Sequence, residues 1–153
     1  IIQHLKKNYS LLIGERSAED IKTSIGSALW EGPADSFEVR GRDLVSGLPK
    51  TIEVSALEIK EALAETVEAI IDGIKVCLER TPPELASDIM DRGIVLAGGG
   101  ALLKGIDKLI SNETNMPVYV CEEPLLAVAR GTGKVLENID VLKRVLISPK
   151  KSF

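Results

Sequence analysis

Three glycines in a row, Gly98, Gly99 and Gly100, stand between two apolar runs in the stretch GIVLAGGGALLKG. Glycine has no Cβ, so a ligand can lie directly against main chain built from it. Where such a stretch leads from a strand into a helix starting near Ala101, unpaired N–H groups and the positive helix end face an anion. The chemistry on offer is therefore non-covalent: holding a phosphate or a nucleotide by backbone. Two named loops fail the test. A Walker loop requires G-x-x-x-x-G-K-[ST], and Gly100 and Gly105, which have that spacing, are followed by Ile106. A dinucleotide fingerprint requires G-x-G-x-x-G, and the third place after Gly98 and Gly100 is Leu103. The plain alternative is a tight turn needing positive φ. Three consecutive glycines at the end of a buried strand favour binding over it.

No other constellation competes. Histidine occurs once, as His4, and Cys77 and Cys121 lie at no metal or redox spacing. A four-ligand zinc site is excluded, and a reducing, cytosolic compartment is the expectation. Nineteen Lys+Arg against 23 Asp+Glu leave a net charge of -4, without the positive footprint of a nucleic-acid binder. Apolar runs stop far short of the roughly 20 residues of a membrane helix, and no secretory signal is visible. Glu19 and Lys22 fall on one helix face, where their plain reading is a solvated i,i+3 ion pair.

Periodicity supplies the elements that must position these residues. With 44% apolar content in 153 residues, the chain can bury a core, as one domain or two small subdomains. Ile1, Ile2, Leu5, Tyr9, Leu12 and Ile13 predict a helix over 1–13 that stops at Gly14. Ser17 and Asp20 approximate a capping box for a second helix, with Ile21, Ile25 and Leu29 on one face. FEVRGRD and KTIEVS alternate and read as a hairpin, its dry face formed by Phe37, Val39, Ile52 and Val54. Ser55 and Glu58 cap a long helix reaching about Arg80, which Pro82 and Pro83 terminate. Thr81 is the expected cap of a short helix closed by Gly93. Ile94, Val95 and Leu96 read as a strand covered on both faces, and MPVYVC as a second buried strand. A last helix is expected to be interrupted at Gly131 and Gly133. The alternation of strand and helix predicts an α/β layer. Two buried strands are too few for a covered parallel sheet, and the chain opens inside an amphipathic pattern without Met. A piece of a longer, strand-completing protein is the expectation.

The segments TPPELASDIMDRGIVLAGGGALLKGIDKLI, LIGERSAEDIKTSIGSA and EVRGRDLVSGLPKTIEV resemble the MreB family of bacterial actin homologues, from near Ile1 to about Leu136. The resemblance implies part of an actin-like ATPase (ribonuclease-H-like) α/β fold. Residues 1–65 would be an upper α+β subdomain (IIB-like) and 66–153 part of a lower one (IIA-like), divided near residue 66. It implies ATP as cofactor, with Mg2+ in the full-length protein. Gly98, Gly99, Gly100 and Ala101 would pass beside the adenosine and phosphates, and Ala18, Glu19, Asp20 and Ile21 would form the second contact segment. Glu19 would accept from the ribose hydroxyls, and Lys22 would lay its stem along the adenine. Ala97 departs from the threonine common in the family. The family's phosphate hairpins, metal-orienting aspartate and water-activating acid lie outside these segments. No catalytic residue or metal ligand is therefore assigned here, and the chain alone is not expected to hydrolyse ATP.

The resemblance further implies head-to-tail filaments in the cytoplasm beneath the inner membrane, associated with it peripherally. Such filaments guide peptidoglycan synthesis and set rod shape, and membrane-anchored cell-shape and wall-synthesis proteins would be partners. The rival is a non-polymerising ATPase of the same superfamily, a sugar kinase or heat-shock chaperone; EVRGRDLVSGLPKTIEV counts against both. A third reading is an interaction module that binds no nucleotide by itself. Among remaining residues, His4 is expected to be solvated, Trp30 and Phe37 to plug the small core, and Cys77 to be buried. The tail with Lys143, Arg144, Lys150 and Lys151 reads as a solvated end, with contact to acidic lipid as the other reading.

Overall fold

The computed structural model describes residues 1–29, 32 and 35–143. Two sheets and two cores are strung along one long helix. The first sheet has three antiparallel strands, β1 (Leu11–Leu12), β2 (Ser36–Asp43) and β3 (Pro49–Ser55), in that order. Phe37 pairs with Val54 and Val39 with Ile52, so one face of the hairpin is apolar as the alternation requires. Helices α1 (Ile2–Tyr9) and α2 (Glu15–Ile25) close that face together with the start of α3 (Ala56–Glu79). Leu5, Leu11, Ile21 and Ile59 have no exposed surface there, and Val39 and Val54 nearly none. Burying each such side chain stabilises by about 1.5–3 kcal/mol.

Helix α3 then runs out of the first core into a second, made of Ala28, Val67, Ile71, Ile106 and Ile110. Leu63 packs against both. The second sheet has only two strands, β4 (Ile94–Leu96) and β5 (Val118–Val120), paired in parallel with Val95 opposite Tyr119. Around it lie α4 (Pro83–Arg92), α5 (Ile106–Thr114), α6 (Ala127–Glu137) and α7 (Ile139–Leu142).

Several expectations are corrected. The first helix ends at Tyr9, because Ser10 turns left-handed at φ 51° and Leu11 and Leu12 pair with Asp43 and Arg42. Leu11 and Ile13 are both buried with Leu12 half-buried between them, a period of two hidden inside an apparent helical spacing. Lys50 Nζ donates to the Tyr9 carbonyl at 2.9 Å, a cation at the helix C-terminus. Helix α2 starts at Glu15 with Gly14 as its cap, so Ser17 and Asp20 lie inside it and form no capping box. Ser55 does cap α3, accepting from Glu58 N at 3.2 Å. The Glu58 carboxylate reaches elsewhere, to His4 Nε2 at 2.8 Å and Tyr9 Oη at 2.9 Å. His4 is therefore a half-buried partner of Glu58 and not a solvated side chain.

Thr81 does not cap α4, since its hydroxyl donates back to the Cys77 carbonyl; Pro82 holds the cap position. Cys77 is exposed. Helix α6 runs unbroken through Gly131 and Gly133. Strands β4 and β5 are not covered on both faces: Val95 is 64% and Tyr119 55% exposed. Phe37 is half-buried against the first core. Trp30, Arg144, Lys150 and Lys151 lie outside the described residues. No helix among the described residues is long and apolar enough to cross a membrane.

Candidate functional site

Strand β4 ends at Leu96 and delivers the glycines at once. Gly98 has φ 83°, a conformation that side chains disfavour, and its N–H donates to the Pro124 carbonyl at 2.8 Å. The chain then makes a single 3-10 turn, Gly99–Leu102. Its first bond runs from Ala101 N to Gly98 O, which leaves the Gly99 and Gly100 N–H groups ahead of the hydrogen-bonded ladder. Gly99 and Gly100 are exposed, while Ala101 is buried and anchors the turn.

The expected helix from Ala101 is not there. Leu103 is extended, Gly105 turns left-handed at φ 75°, and α5 begins at Ile106. A turn this short aligns too few peptides for a macrodipole, so any grip on a ligand comes from the backbone groups themselves. A Cβ placed on Gly98 or Gly100 would meet nothing within 4 Å, and one on Gly99 only Leu125 Cδ2 at 3.4 Å. Packing within the chain therefore does not explain Gly99 and Gly100. Glycine in a helical turn costs up to about 1 kcal/mol relative to alanine.

The second predicted segment lies on α2. Ile21 has no exposed surface and fixes the helix to the first core, so its side chain cannot meet a ligand. Ala18 is half-buried, and Glu19 and Asp20 are exposed. Glu19 Oε2 and Lys22 Nζ are 2.6 Å apart, with the side chains 60% and 38% exposed. The solvated ion pair expected of this spacing is present, and such a pair contributes at most about 1 kcal/mol.

The two segments come from separate cores, but their continuations meet. Ser27 pairs with Lys104 as an isolated parallel bridge just past α2 on one side and past the glycine turn on the other. Ala28 N donates to Lys104 O at 2.8 Å, and Lys104 Nζ donates to Ser24 O at 2.9 Å. These residues were not among the sequence candidates. The one legible signal was Gly105, whose positive φ and whose approach to Leu29 both require glycine; a Cβ there would sit 2.9 Å from Leu29 Cβ.

Titration shifts fall at structural joints. The hydrogen bond to Glu58, with some burial, raises the Tyr9 phenol above its ordinary 10.0. The Val45 N–H holds the Asp43 carboxyl below its usual range, and Glu113 raises Lys75. The described residues contain no group of three or more His, Cys, Asp or Glu able to hold a metal ion. A hollow lined by Leu29, Asp107, Lys108, Ser111, Asn112 and Val118 contains none of the predicted site residues, and a second, between α2 and β2, includes Asp20 and Ile21. Neither includes a glycine of the turn, whose Gly99 and Gly100 are exposed.

Comparison with known proteins gives this arrangement a context. The family model described as MreB/Mbl protein matches residues 1–144. The cell shape-determining protein Mbl of Bacillus subtilis is 49% identical over 148 residues, covering 97% of this chain and 44% of that protein. The cell shape-determining protein MreB of Escherichia coli is 51% identical over 141 residues, covering 92% and 41%. The chain thus spans less than half the length of the curated relatives it matches. The crystal structure of MreB5 of Spiroplasma citri bound to ADP superposes with a TM-score of 0.87 at 39% identity, over 91% of this chain and 42% of that one. The same protein bound to AMPPNP also gives 0.87.

Proposed function

Because this chain belongs to the MreB/Mbl family and carries part of an actin-like α/β fold, we propose that it supplies one wall of an ATP-binding cleft. Gly98, Gly99, Gly100 and Ala101 line the side of the adenosine and phosphates. Ala18, Glu19, Asp20, Ile21 and Lys22 form the facing segment, with Glu19 accepting from ribose hydroxyls and Lys22 lying along the base. Ile21 contributes main chain only, since its side chain is in the core. ATP brings the phosphoanhydride; the part played by this chain is to bind and orient the nucleoside. Mg2+ and the hydrolytic groups are assigned to the rest of the family's length, and no step of hydrolysis is assigned to a residue here.

We read the two cores as the upper and lower subdomains, with the boundary near residue 66 inside α3. The full-length protein polymerises head to tail, a heterologous contact that does not close. It works in the cytoplasm beneath the inner membrane, with membrane-anchored cell-shape and wall-synthesis proteins as partners, and sets rod shape by organising peptidoglycan synthesis. The names of the curated relatives support the cell-shape role, and the nucleotides in MreB5 support the cofactor.

The observation that carries the nucleotide reading is the open face of Gly99 and Gly100, which no packing among the described residues requires. It predicts a separation of effects. In the full-length protein, Gly100→Ala should leave the unfolding midpoint unchanged or slightly raised, because its Cβ meets nothing within 4 Å. The same methyl should weaken ADP and AMPPNP binding by about tenfold, through overpacking against the ligand. Unaltered affinity in a titration of the variant would remove the glycine turn from the site.

A further inference from the structure

We propose that Lys104 is a positioning residue, which fastens the glycine turn to helix α2 so that the two walls of the site keep a fixed separation. The proposal rests on the nucleotide reading above and adds to it the device that holds the walls together. One wall, the α2 segment, is anchored in the first core, and the other, the glycine turn, is flanked by Leu96 and Leu103, which pack against the second. Helix α3 passes through both cores and joins them along one line. A single joint leaves two bodies free to turn about it, and a second joint removes that freedom.

The chain just past α2 makes that second joint by burying Ala28 in the second core, and Lys104 fastens it. Lys104 stands three positions beyond Ala101, the buried foot of the glycine turn. Its carbonyl accepts from Ala28 N at 2.8 Å and from Ser27 Oγ at 3.2 Å. The Ser27 hydroxyl also lies 2.6 Å from the Leu29 carbonyl, and Ser27 itself is buried. Lys104 Nζ donates to the Ser24 carbonyl in the last turn of α2, where carbonyls lack helical partners and a cation matches the local partial charge. Next door, Gly105 lets the backbone approach Leu29 more closely than any side chain would permit. Residues 24–29 and 104–105 thus form a clasp tied by main chain and side chain together. The Lys104 side chain is exposed, and an exposed bond of this kind adds little to folding. Its effect is on where the walls stand.

Position and charge leave different signatures. Were Lys104 a phosphate contact, its loss would weaken a triphosphate analogue more than a diphosphate. A clasp weakens both by the same factor, because it changes the fraction of molecules whose walls are correctly spaced. In the full-length protein, Lys104→Met should weaken ADP and AMPPNP binding equally, by up to about fivefold. The nucleotide-free unfolding midpoint should stay near wild type, and Lys104→Arg, which keeps a donor and a charge, should restore most of the affinity. Ser27→Ala removes one link from the opposite side and should weaken both nucleotides by a smaller common factor; it reports on the clasp even if Lys104→Met folds poorly. Wild-type affinity in both Lys104→Met and Ser27→Ala overturns the clasp while leaving the glycine-turn reading intact. A selective loss of AMPPNP in Lys104→Met overturns it in favour of a phosphate contact. A wild-type protein that binds neither nucleotide ends the nucleotide reading, and the clasp proposal with it.

Discussion

The two cores share helix α3 yet are closed to different degrees. Around the hairpin, eight side chains from α1, β1, α2, β2, β3 and α3 pack with Ile13, all with little exposure. Around β4 and β5, five residues form the core, while α4, α6 and α7 contribute no buried residue. Val95, Tyr119, Leu125, Val128 and Leu136 stand more than half exposed there. Amphipathic helices bury a face when something packs against it. Among the described residues, the first region finds its partners within the chain, and the second displays faces without them. The glycine turn lies in the second region, held by the clasp to the first.

Substitutions sharpen this contrast, in order of size. Ile59→Ala, at the fully buried start of α3, should destabilise by about 2–5 kcal/mol in denaturant titration, since a cavity in a closed core collapses poorly. Gly105→Ala combines φ 75° with a Cβ 2.9 Å from Leu29 Cβ, and should cost about 1–3 kcal/mol at the clasp. A cost near zero would mean that Leu29 moves freely and the junction is loose.

A pH series addresses the tie between α1 and α3. The Tyr9 phenol is raised above 10.0, so the folded state holds its proton more tightly than the unfolded chain. The contribution is complete below pH 10.0 and is lost as pH rises through the raised value. Tyr9→Phe should flatten this alkaline limb in pH-dependent unfolding; an unchanged limb would place the loss elsewhere. Smallest of all, Val128→Ser on the open face of α6, 75% exposed, should change stability by less than about 0.5 kcal/mol. A cost comparable to Ile59→Ala would show that the second region is closed in solution, and the contrast would fail.

Legibility in the sequence followed the same division. The hairpin, its register face and helix α3 could be read because alternation, a capping serine and a proline pair are local signals that tertiary packing reinforced. The end of α1 could not, because Leu11, Leu12 and Ile13 satisfy a helical period and a strand period at once; pairing with Arg42 and Asp43 decided it. The burial of His4 has no local signal, because Glu58, its partner, is 54 positions away. The strands 94–96 and 118–120 were read as buried from their composition, which reports the environment a segment suits and not the one it has here. At the site, the glycines were legible as an open turn, but the helix after them was not. Gly105 imposes a left-handed break that a run of Leu and Ile conceals. Lys104 went unseen because a lysine on a turn carries no sign of the distant carbonyl it reaches.

Photoaffinity labelling of the full-length protein with an azido-adenine nucleotide, followed by peptide mapping, tests the central claim most directly. Labelled peptides should include the segments 18–22 and 98–101, with competition by unlabelled ADP. Competable labelling confined to peptides outside both segments would contradict the account.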